Sequence, residues 1–157
     1  MQIFGSSLIL LVGLGIGRLS NEGARESAAT TRALLYLLRF VRGQIDSFCL
    51  PREQIFARLE HPYLAHTGFL DALRESGSLS VSAARLVHLS SEAKALLVGF
   101  DGELGRGYQA EQLRVCDYYI EQMKQLLEAE EARLPARTRV TRTVSLSLAA
   151  MVVLLLL

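Results

Sequence analysis

The last fifteen residues of the chain, 143–157, carry no charged side chain and end in two valines and four leucines. Residues 1–17 likewise contain no ionisable side chain. Every Lys, Arg, Asp and Glu therefore lies within residues 18–142. This distribution predicts three units: an N-terminal transmembrane helix 1–17, a polar central domain 18–142 and a C-terminal transmembrane helix 143–157.

Both predicted spans are short, because a helix needs about 20 residues to cross a hydrocarbon core of roughly 30 Å. For residues 1–17 the alternative is a cleaved signal peptide, since Gly15-Ile-Gly17 resembles a small-residue cleavage site. The lack of a positive residue before the apolar run favours a retained anchor. For residues 143–157 the alternative is a buried core helix, although this run has no polar face to present to water.

Arginines flank both apolar segments on their inner sides. Arg18 follows the first segment, and Arg133, Arg137, Arg139 and Arg142 precede the second. Cations beside transmembrane ends mark the cytoplasmic side, so we expect a cytoplasmic central domain on the cell membrane with these five arginines at the membrane interface. The net charge of the chain is only +1, which gives no reason to expect nucleic-acid binding.

Two long stretches of the central domain have the apolar spacing of helices. In the first, the apolar positions step by four and three: Leu34, Leu38, Val41, Ile45 and Phe48. In the second, the same steps recur at Leu113, Cys116, Ile120, Met123 and Leu127. The spacing predicts helices over about 22–47 and 109–134 that pack as an antiparallel pair. Pro135 is expected to end or kink the second helix.

Between these helices the sequence predicts four short ones, over residues 51–59, 67–75, 83–89 and 92–100. Ser82 is a candidate cap for the third, and Ser90 or Ser91 for the fourth. His61-Pro62 is expected to end the first. Residues 78–82 alternate like a strand, but one isolated strand is not stable. The predicted fold is therefore all-α: a small helical bundle or hairpin domain between transmembrane helices.

No side-chain pattern typical of catalysis or metal binding is visible. His61 and His66 are separated by a proline and lack further ligands at metal-binding spacing, while His88 falls on a helical pattern that predicts a core or boundary position. Cys49 and Cys116 are predicted to be reduced, partly buried thiols. We expect no catalytic, cofactor-binding or metal-binding residues and no cofactor.

Residues 102–107, Gly-Glu-Leu-Gly-Arg-Gly, form the strongest helix break in the chain. This run lacks the Gly-Lys-Ser/Thr ending of a phosphate-binding loop and does not follow a predicted strand. Nucleotide binding by this segment is therefore not expected. We expect a sharp turn before the second long helix.

Three stretches carry a family resemblance. The first is the leucine-rich run 32–45 leading into Leu50-Pro51, and the second is Leu97-Val-Gly-Phe-Asp-Gly-Glu-Leu-Gly105, followed by Gln112. The third is the long helix that leads into the final apolar segment. In this order and length they resemble the stage III sporulation protein AB family of spore-forming bacteria, across essentially the whole chain.

The chain departs from the pattern of that family at three places. Gln44 stands where the family usually has Glu, and Asp101 replaces the first glycine of a Phe-Gly-x-x-Leu-Gly turn. Residues 135–140, Pro-Ala-Arg-Thr-Arg-Val, replace a Lys-x-Tyr-x-x-Leu-Gly segment before the last span.

The resemblance implies a non-enzymatic membrane component of the mother-cell to forespore channel complex required for sporulation, on the mother-cell side of the septum. The helical domain of this family is similar to the platform protein of type II secretion and type IV pilus machines. The implied partners are a secretion-type ATPase, stage III sporulation protein AA, and the other membrane subunits of the complex. Candidate partner contacts are the turn 102–107 with Arg106, Gln109 and Gln112.

Two other classes of function stay open at the level of sequence. A membrane-tethered helical sensor or regulator would act through its transmembrane helices. An enzyme would need a constellation of catalytic side chains that the sequence does not display. The platform interpretation is favoured over both.

Overall fold

The computed structural model describes the backbone of residues 3–156 and the side chains of residues 22–134. Helix α1 spans Ile3–Phe48 and helix α7 spans Gln109–Leu156. Between them come α2 (Arg52–Arg58), α3 (Pro62–His66), α4 (Phe69–Ser76), α5 (Leu79–Ser82), a 3₁₀ turn (Ala83–Arg85) and α6 (Ser91–Glu103). Residues 3–156 contain no strand, which confirms the predicted all-α fold.

Helices α1 and α7 form an antiparallel hairpin. The Ser27 hydroxyl donates to Glu130 Oε1 (3.1 Å), and Arg42 Nε donates to Asp117 Oδ1 (2.6 Å). The residue number on α7 therefore falls as that on α1 rises. This confirms the antiparallel pair predicted from the matching four-and-three spacing of the two helices.

The apolar seams of the two long helices meet in the core. On α1, Leu34, Leu38 and Val41 are fully buried, and on α7, Cys116 and Met123 are fully buried. The short helices cover the same side of the hairpin and add Phe69 of α4 and Phe100 of α6 to this core. Full burial of each large apolar side chain contributes about 1.5–3 kcal/mol. Packing of these seams therefore holds the hairpin to the short helices.

The short helices begin at different residues from those predicted. Pro62 was expected to end the helix before it, but α2 ends earlier, at Arg58, and Pro62 occupies the first turn of α3. A proline is well suited to that position, where its missing N–H costs no hydrogen bond. The helix predicted over 67–75 accordingly starts two residues later: Thr67 and Gly68 form a turn after α3, with Gly68 in the left-handed conformation, and α4 begins at Phe69.

The predicted helix 83–89 is wrong. Helix α5 starts at Leu79, and the Ser78 hydroxyl, not that of Ser82, accepts from a backbone N–H at its start (3.4 Å, from Val81). The chain then leaves the 3₁₀ turn at Leu86, so His88 lies in an exposed turn and not in the core or at its boundary. The predicted cap of the next helix is confirmed, because Ser90 Oγ accepts from Ala93 N (3.3 Å).

Pro135 does not end the second long helix, since α7 runs from Gln109 to Leu156. Pro135 was expected to end or kink this helix; the expected end is wrong, and the kink stays a prediction. Among the residues whose side chains are described, no helix is both long and apolar enough to cross a bilayer. The predicted spans 1–17 and 143–157 lie outside that part of the chain and stay predictions.

Candidate functional site

The hairpin tip is the end of the molecule at which α1 finishes and α7 starts. Cys49 follows the last residue of α1 and adopts a left-handed conformation with φ 47°. Its backbone N–H donates to the Ile45 carbonyl (3.2 Å), which closes the last turn of α1. A positive φ is uncommon outside glycine, so the chain leaves α1 through a sharp turn.

Gln109 connects the two long helices at the tip. Its side-chain amide donates to the carbonyl oxygens of Ile45 (3.0 Å) and Asp46 (3.2 Å). The Ile45 carbonyl also accepts from Cys49, whereas the Asp46 carbonyl is one of the last in the helix and has no partner within it. Gln109 therefore satisfies the Asp46 carbonyl and adds a second hydrogen bond to that of Ile45. Gln109 was predicted from sequence as a partner contact, and the structure gives it this intramolecular role.

Gln112 and Arg106 lie on the turn between α6 and α7. The Gln112 side-chain amide donates to the Gly107 carbonyl (3.2 Å), while Gly105 and Gly107 hold φ values of 86° and 82°. Such angles favour glycine and allow the chain to reverse here. The Arg106 side chain is exposed, and among the described residues it has no carboxylate within ion-pair distance.

A cleft of about 480 Å³ opens at the tip between the end of α1, the start of α2 and the α6–α7 turn. We call it the tip cleft. Its walls combine apolar side chains with polar ones, and include Ile45, Leu50, Arg52, Glu53, Leu104 and Gln112. Clefts of this size with a few polar groups are typical of binding surfaces.

Two aromatic side chains stand exposed at the same end of the molecule. Phe48, the last residue of α1, is 62% exposed, and Tyr108, just before α7, is 89% exposed. Large aromatic side chains contribute strongly to binding energy when a partner covers them. We call Phe48, Tyr108, Arg106 and the tip cleft together the tip surface.

An ion pair between Arg52 and Asp101 supports one wall of the tip cleft. The Asp101 carboxylate also accepts from the Ser78 hydroxyl (2.7 Å) and from the backbone N–H groups of Leu79 and Ser80 (both 3.1 Å). Arg52 donates in addition to the Gly77 carbonyl (2.7 Å). The carboxylate thus joins α2, the start of α5 and α6.

The pKa of Asp101 lies below its ordinary value. Burial alone would raise this pKa, but the hydrogen bonds from Ser78, Ser80 and Leu79 stabilise the ionised form and outweigh burial. The Asp101 side chain is only 9% exposed, so it acts as a buried, ionised connector. From the sequence, Asp101 was noted only because it replaces a glycine of the family pattern. That replacement was the one sequence feature that could have pointed to its structural role.

The α6–α7 contact near the tip depends on Tyr119. Its hydroxyl donates to Glu103 Oε1 (2.9 Å), and its ring packs edge-on against Phe100. Burial, followed by the neighbouring Glu103 carboxylate, raises the pKa of Tyr119 to about 12. The hydroxyl therefore stays protonated at neutral pH and serves as a donor.

The structure brings Arg106, Gln109 and Gln112 together at the tip, as their proximity in sequence suggests. Of the five predicted membrane-interface arginines, only Arg133 has a described side chain, and it is exposed. The other four, Arg18, Arg137, Arg139 and Arg142, lie outside the described side chains, so this assignment stays a prediction. Phe48, Tyr108 and Arg52 were not identified from sequence as site residues.

Both cysteines are free thiols, as predicted, but their environments differ. Cys116 is fully buried, whereas Cys49 is exposed and not partly buried. Within residues 22–134, no group of three or more His, Cys, Asp or Glu side chains is placed to hold a metal ion. That the protein is not an enzyme remains a prediction.

The fold and the tip surface define a class of protein: a long antiparallel helical hairpin whose short helices cover one side and whose tip is open. The family model of stage III sporulation protein AB matches residues 2–157, and the chain belongs to this family. No curated protein and no solved structure matches it. The family assignment gives the protein a role related to sporulation.

Proposed function

We propose that this protein is a non-enzymatic membrane platform in the mother-cell to forespore channel complex, and that its tip docks a secretion-type ATPase of the stage III sporulation protein AA type. In this proposal residues 1–17 and 143–157 anchor the hairpin in the cell membrane. The central domain then faces the mother-cell cytoplasm, and the other membrane subunits of the complex assemble beside it.

The tip surface is the observation that carries this proposal. Both predicted anchors lie at the end of the hairpin remote from the tip, because α1 starts and α7 finishes there. A cytoplasmic ATPase would therefore meet the tip first. Exposed Phe48 and Tyr108 offer apolar area, and Arg106 offers an exposed cation that has no carboxylate within ion-pair distance among the side chains of residues 22–134.

Affinity measurement with the full-length protein in a mild detergent would test the docking. The cognate ATPase is titrated against the wild-type chain and against a triple variant, Phe48→Ala, Tyr108→Ala and Arg106→Glu. Loss of two exposed aromatics and a reversed charge should weaken binding at least about tenfold, or about 1.4 kcal/mol. The three side chains are exposed, so the fold should survive.

The matched control changes exposed residues away from the tip. Val87 is 87% exposed and Arg85 is exposed, and both precede the start of α6, whose other end reaches the tip. The variant Val87→Ala with Arg85→Glu should bind within about twofold of the wild type. Equal losses in the two variants, or no complex at tens of micromolar, would count against docking at the tip.

The continuity of the long helices favours a second candidate, a membrane-tethered sensor or regulator. Helix α1 extends from Ile3 through the whole first side of the hairpin, and α7 extends to Leu156. A movement of either predicted span would pass directly into the domain. Replacing both spans with unrelated ones should abolish activity in this case, whereas a platform should tolerate the exchange while anchoring persists.

A further inference from the structure

One side of the α1–α7 hairpin is left uncovered by the short helices. Tyr63 of α3 contacts Thr30 of α1 (2.7 Å between hydroxyl oxygens), and Phe100 of α6 packs on Tyr119 of α7. These contacts hold the short helices on the other side. The uncovered side, here called the open face, carries Arg32, Arg39 and Asp46 of α1 and Arg114, Glu121, Lys124 and Glu128 of α7. Tyr36 lies at its edge, where its ring contacts His61 before α3 (4.9 Å between centroids).

On the open face two arginines of α1 lie beside two glutamates of α7, and each glutamate is also within 4.0 Å of Lys124 on its own helix. Arg32 and Arg39 are seven residues apart, as are Glu121 and Glu128, and residues at this spacing share one side of a helix. Arg32, Glu121 and Glu128 are between 55% and 65% exposed. Arg39 is also exposed, and among the described side chains it has no carboxylate within ion-pair distance.

The opposite charges also stand at matching heights along the hairpin. Arg32 pairs with Glu131, and Arg42 pairs with Asp117. Between these two levels, Arg39 is level with about residue 121, and Arg32 is within one helical turn of Glu128. Arg32 and Arg39 thus each have a glutamate of the other helix within about one helical turn of their own height.

We propose that two copies of this chain associate through their open faces, about a two-fold axis parallel to the hairpin. Such an axis leaves the position of every residue along the hairpin unchanged and exchanges the sides on which α1 and α7 lie. Helix α1 of one copy therefore faces α7 of the other. Arg32 and Arg39 then meet Glu128 and Glu121 of the second copy. The second copy makes the same contacts in return.

One further pair of the open face is complementary in the same arrangement. Asp46 lies near the level of Arg114, an opposite charge. No like charges are opposed among these pairs, so the face is self-complementary.

Anionic lipid is a poorer occupant of this face, an argument that rests on the anchoring proposed above. Because α1 is continuous, Arg32 begins about 22 Å beyond residue 17, and a tilt of about 40° still leaves roughly 17 Å. Surface charge is screened over about 8 Å at physiological salt. Arg39 stands farther away still. Anionic headgroups are therefore too far away to bind these arginines.

Energy transfer between copies of the full-length chain in a mild detergent tests the association. The exposed native Cys49 should accept donor or acceptor dye, while Cys116, which is buried, should not react in the folded protein. The two-fold arrangement brings both tips to the same end, so mixed wild-type copies should show transfer that unlabelled protein competes away. Reversing the charges, as Arg32→Glu with Arg39→Glu or as Glu121→Arg with Glu128→Arg, should raise the concentration for half-maximal transfer at least about tenfold.

Mixing the two reversed variants gives the decisive result. In a mixed pair every reversed residue meets a reversed partner, so transfer should return to within about twofold of wild type. A purely intramolecular role for these residues would give no such rescue. The off-face control, Glu75→Arg with Arg85→Glu, should behave as wild type.

Absence of competable transfer between wild-type copies up to about 100 µM would overturn the proposal. So would failure of the mixed variants to recover. No ATPase is present in this experiment, so its failure leaves docking at the tip untouched. An acidic partner protein on the arginines of α1 would give the first of these negative results.

Discussion

Gly99 of α6 faces the Tyr119 hydroxyl of α7 at a distance that leaves no room for a side chain. A Cβ atom placed on Gly99 would lie 2.7 Å from that oxygen and 3.2 Å from Cε1 of the same ring. The hydroxyl is held in place by its hydrogen bond to Glu103 (2.9 Å). The absence of a side chain at position 99 thus sets how closely α6 approaches α7 near the tip.

We expect Gly99→Ala to lower the free energy of unfolding by about 1–2 kcal/mol, because the gain in helix propensity is smaller than the cost of overpacking. In a Tyr119→Phe background the same change should cost less than about 0.5 kcal/mol, since the blocking oxygen is gone. Urea denaturation of the four proteins of this double-mutant cycle measures the coupling.

Gly102→Ala is the matched control in the same helix. Nothing lies within 4 Å of a Cβ atom at Gly102, and its φ is not positive. The free energy of unfolding of this variant should rise by about 0.5–1 kcal/mol, because alanine lowers the backbone freedom of the unfolded chain. Equal losses at positions 99 and 102 would show that the close approach to Tyr119 is not the cause.

The Asp101 carboxylate should contribute much more to the free energy of unfolding than an exposed carboxylate does. Asp101→Ala leaves the guanidinium of Arg52, 24% exposed, without its carboxylate and frees the N–H groups of Leu79 and Ser80. Removing one partner of a largely buried pair costs about 2–4 kcal/mol when some solvent access remains. Asp71→Ala, which removes an 84% exposed carboxylate 3.9 Å from Arg74, should change stability by less than about 0.5 kcal/mol.

The same carboxylate gives the protein a defined response to acid. The folded-state pKa of Asp101 is below 3.8, so the folded protein binds this proton more weakly than the unfolded chain. The contribution of ionised Asp101 to the free energy of unfolding is therefore complete above about pH 5. It is lost as the pH falls through 3.8 towards the folded-state pKa. The stability difference between wild type and Asp101→Asn should shrink between pH 5 and pH 3; a difference that stayed constant would contradict this account.

The two thiols should differ sharply in reactivity. Burial raises the pKa of Cys116 to about 11, and the neighbouring Asp117 adds to the effect, while Cys49 is exposed. A thiol reagent at pH 8 should modify one cysteine quickly and the second only after unfolding. Cys49→Ser should remove the fast phase and Cys116→Ser the slow one. Two fast phases in the wild-type protein would show that the α1–α7 core opens at Cys116.

The long helices could be predicted from sequence, whereas the short ones could not. The spacing of Leu34, Leu38 and Val41 is a local pattern, and burial of that seam in the hairpin follows from it directly. Helix α5 depends instead on a carboxylate from Asp101, 22 residues beyond Leu79, which no local pattern can reveal. Pro62 could be read as ending one helix, but its place in the first turn of the next depends on the packing of α3.

The tip surface was predicted only in part, for a related reason. Arg106, Gln109 and Gln112 are close in sequence, so their proximity in space is local. Phe48 belongs to the apolar spacing of α1 and was expected to face the core, yet it lies beyond the last turn that α7 covers and is 62% exposed. Phe48 and Ile45 follow the same apolar spacing, and they differ in burial only because the contact between α1 and α7 ends between them. The end of that contact is a tertiary feature.

Site-specific photocrosslinking in sporulating cells tests the central claim most directly. A photoreactive residue replaces Tyr108 at the tip, and in a second strain it replaces Val87, which is equally exposed but precedes α6. The account predicts a crosslink to the AA-type ATPase from position 108 and none from position 87. A crosslink from position 87 alone, or none from position 108 at normal protein levels, would contradict it.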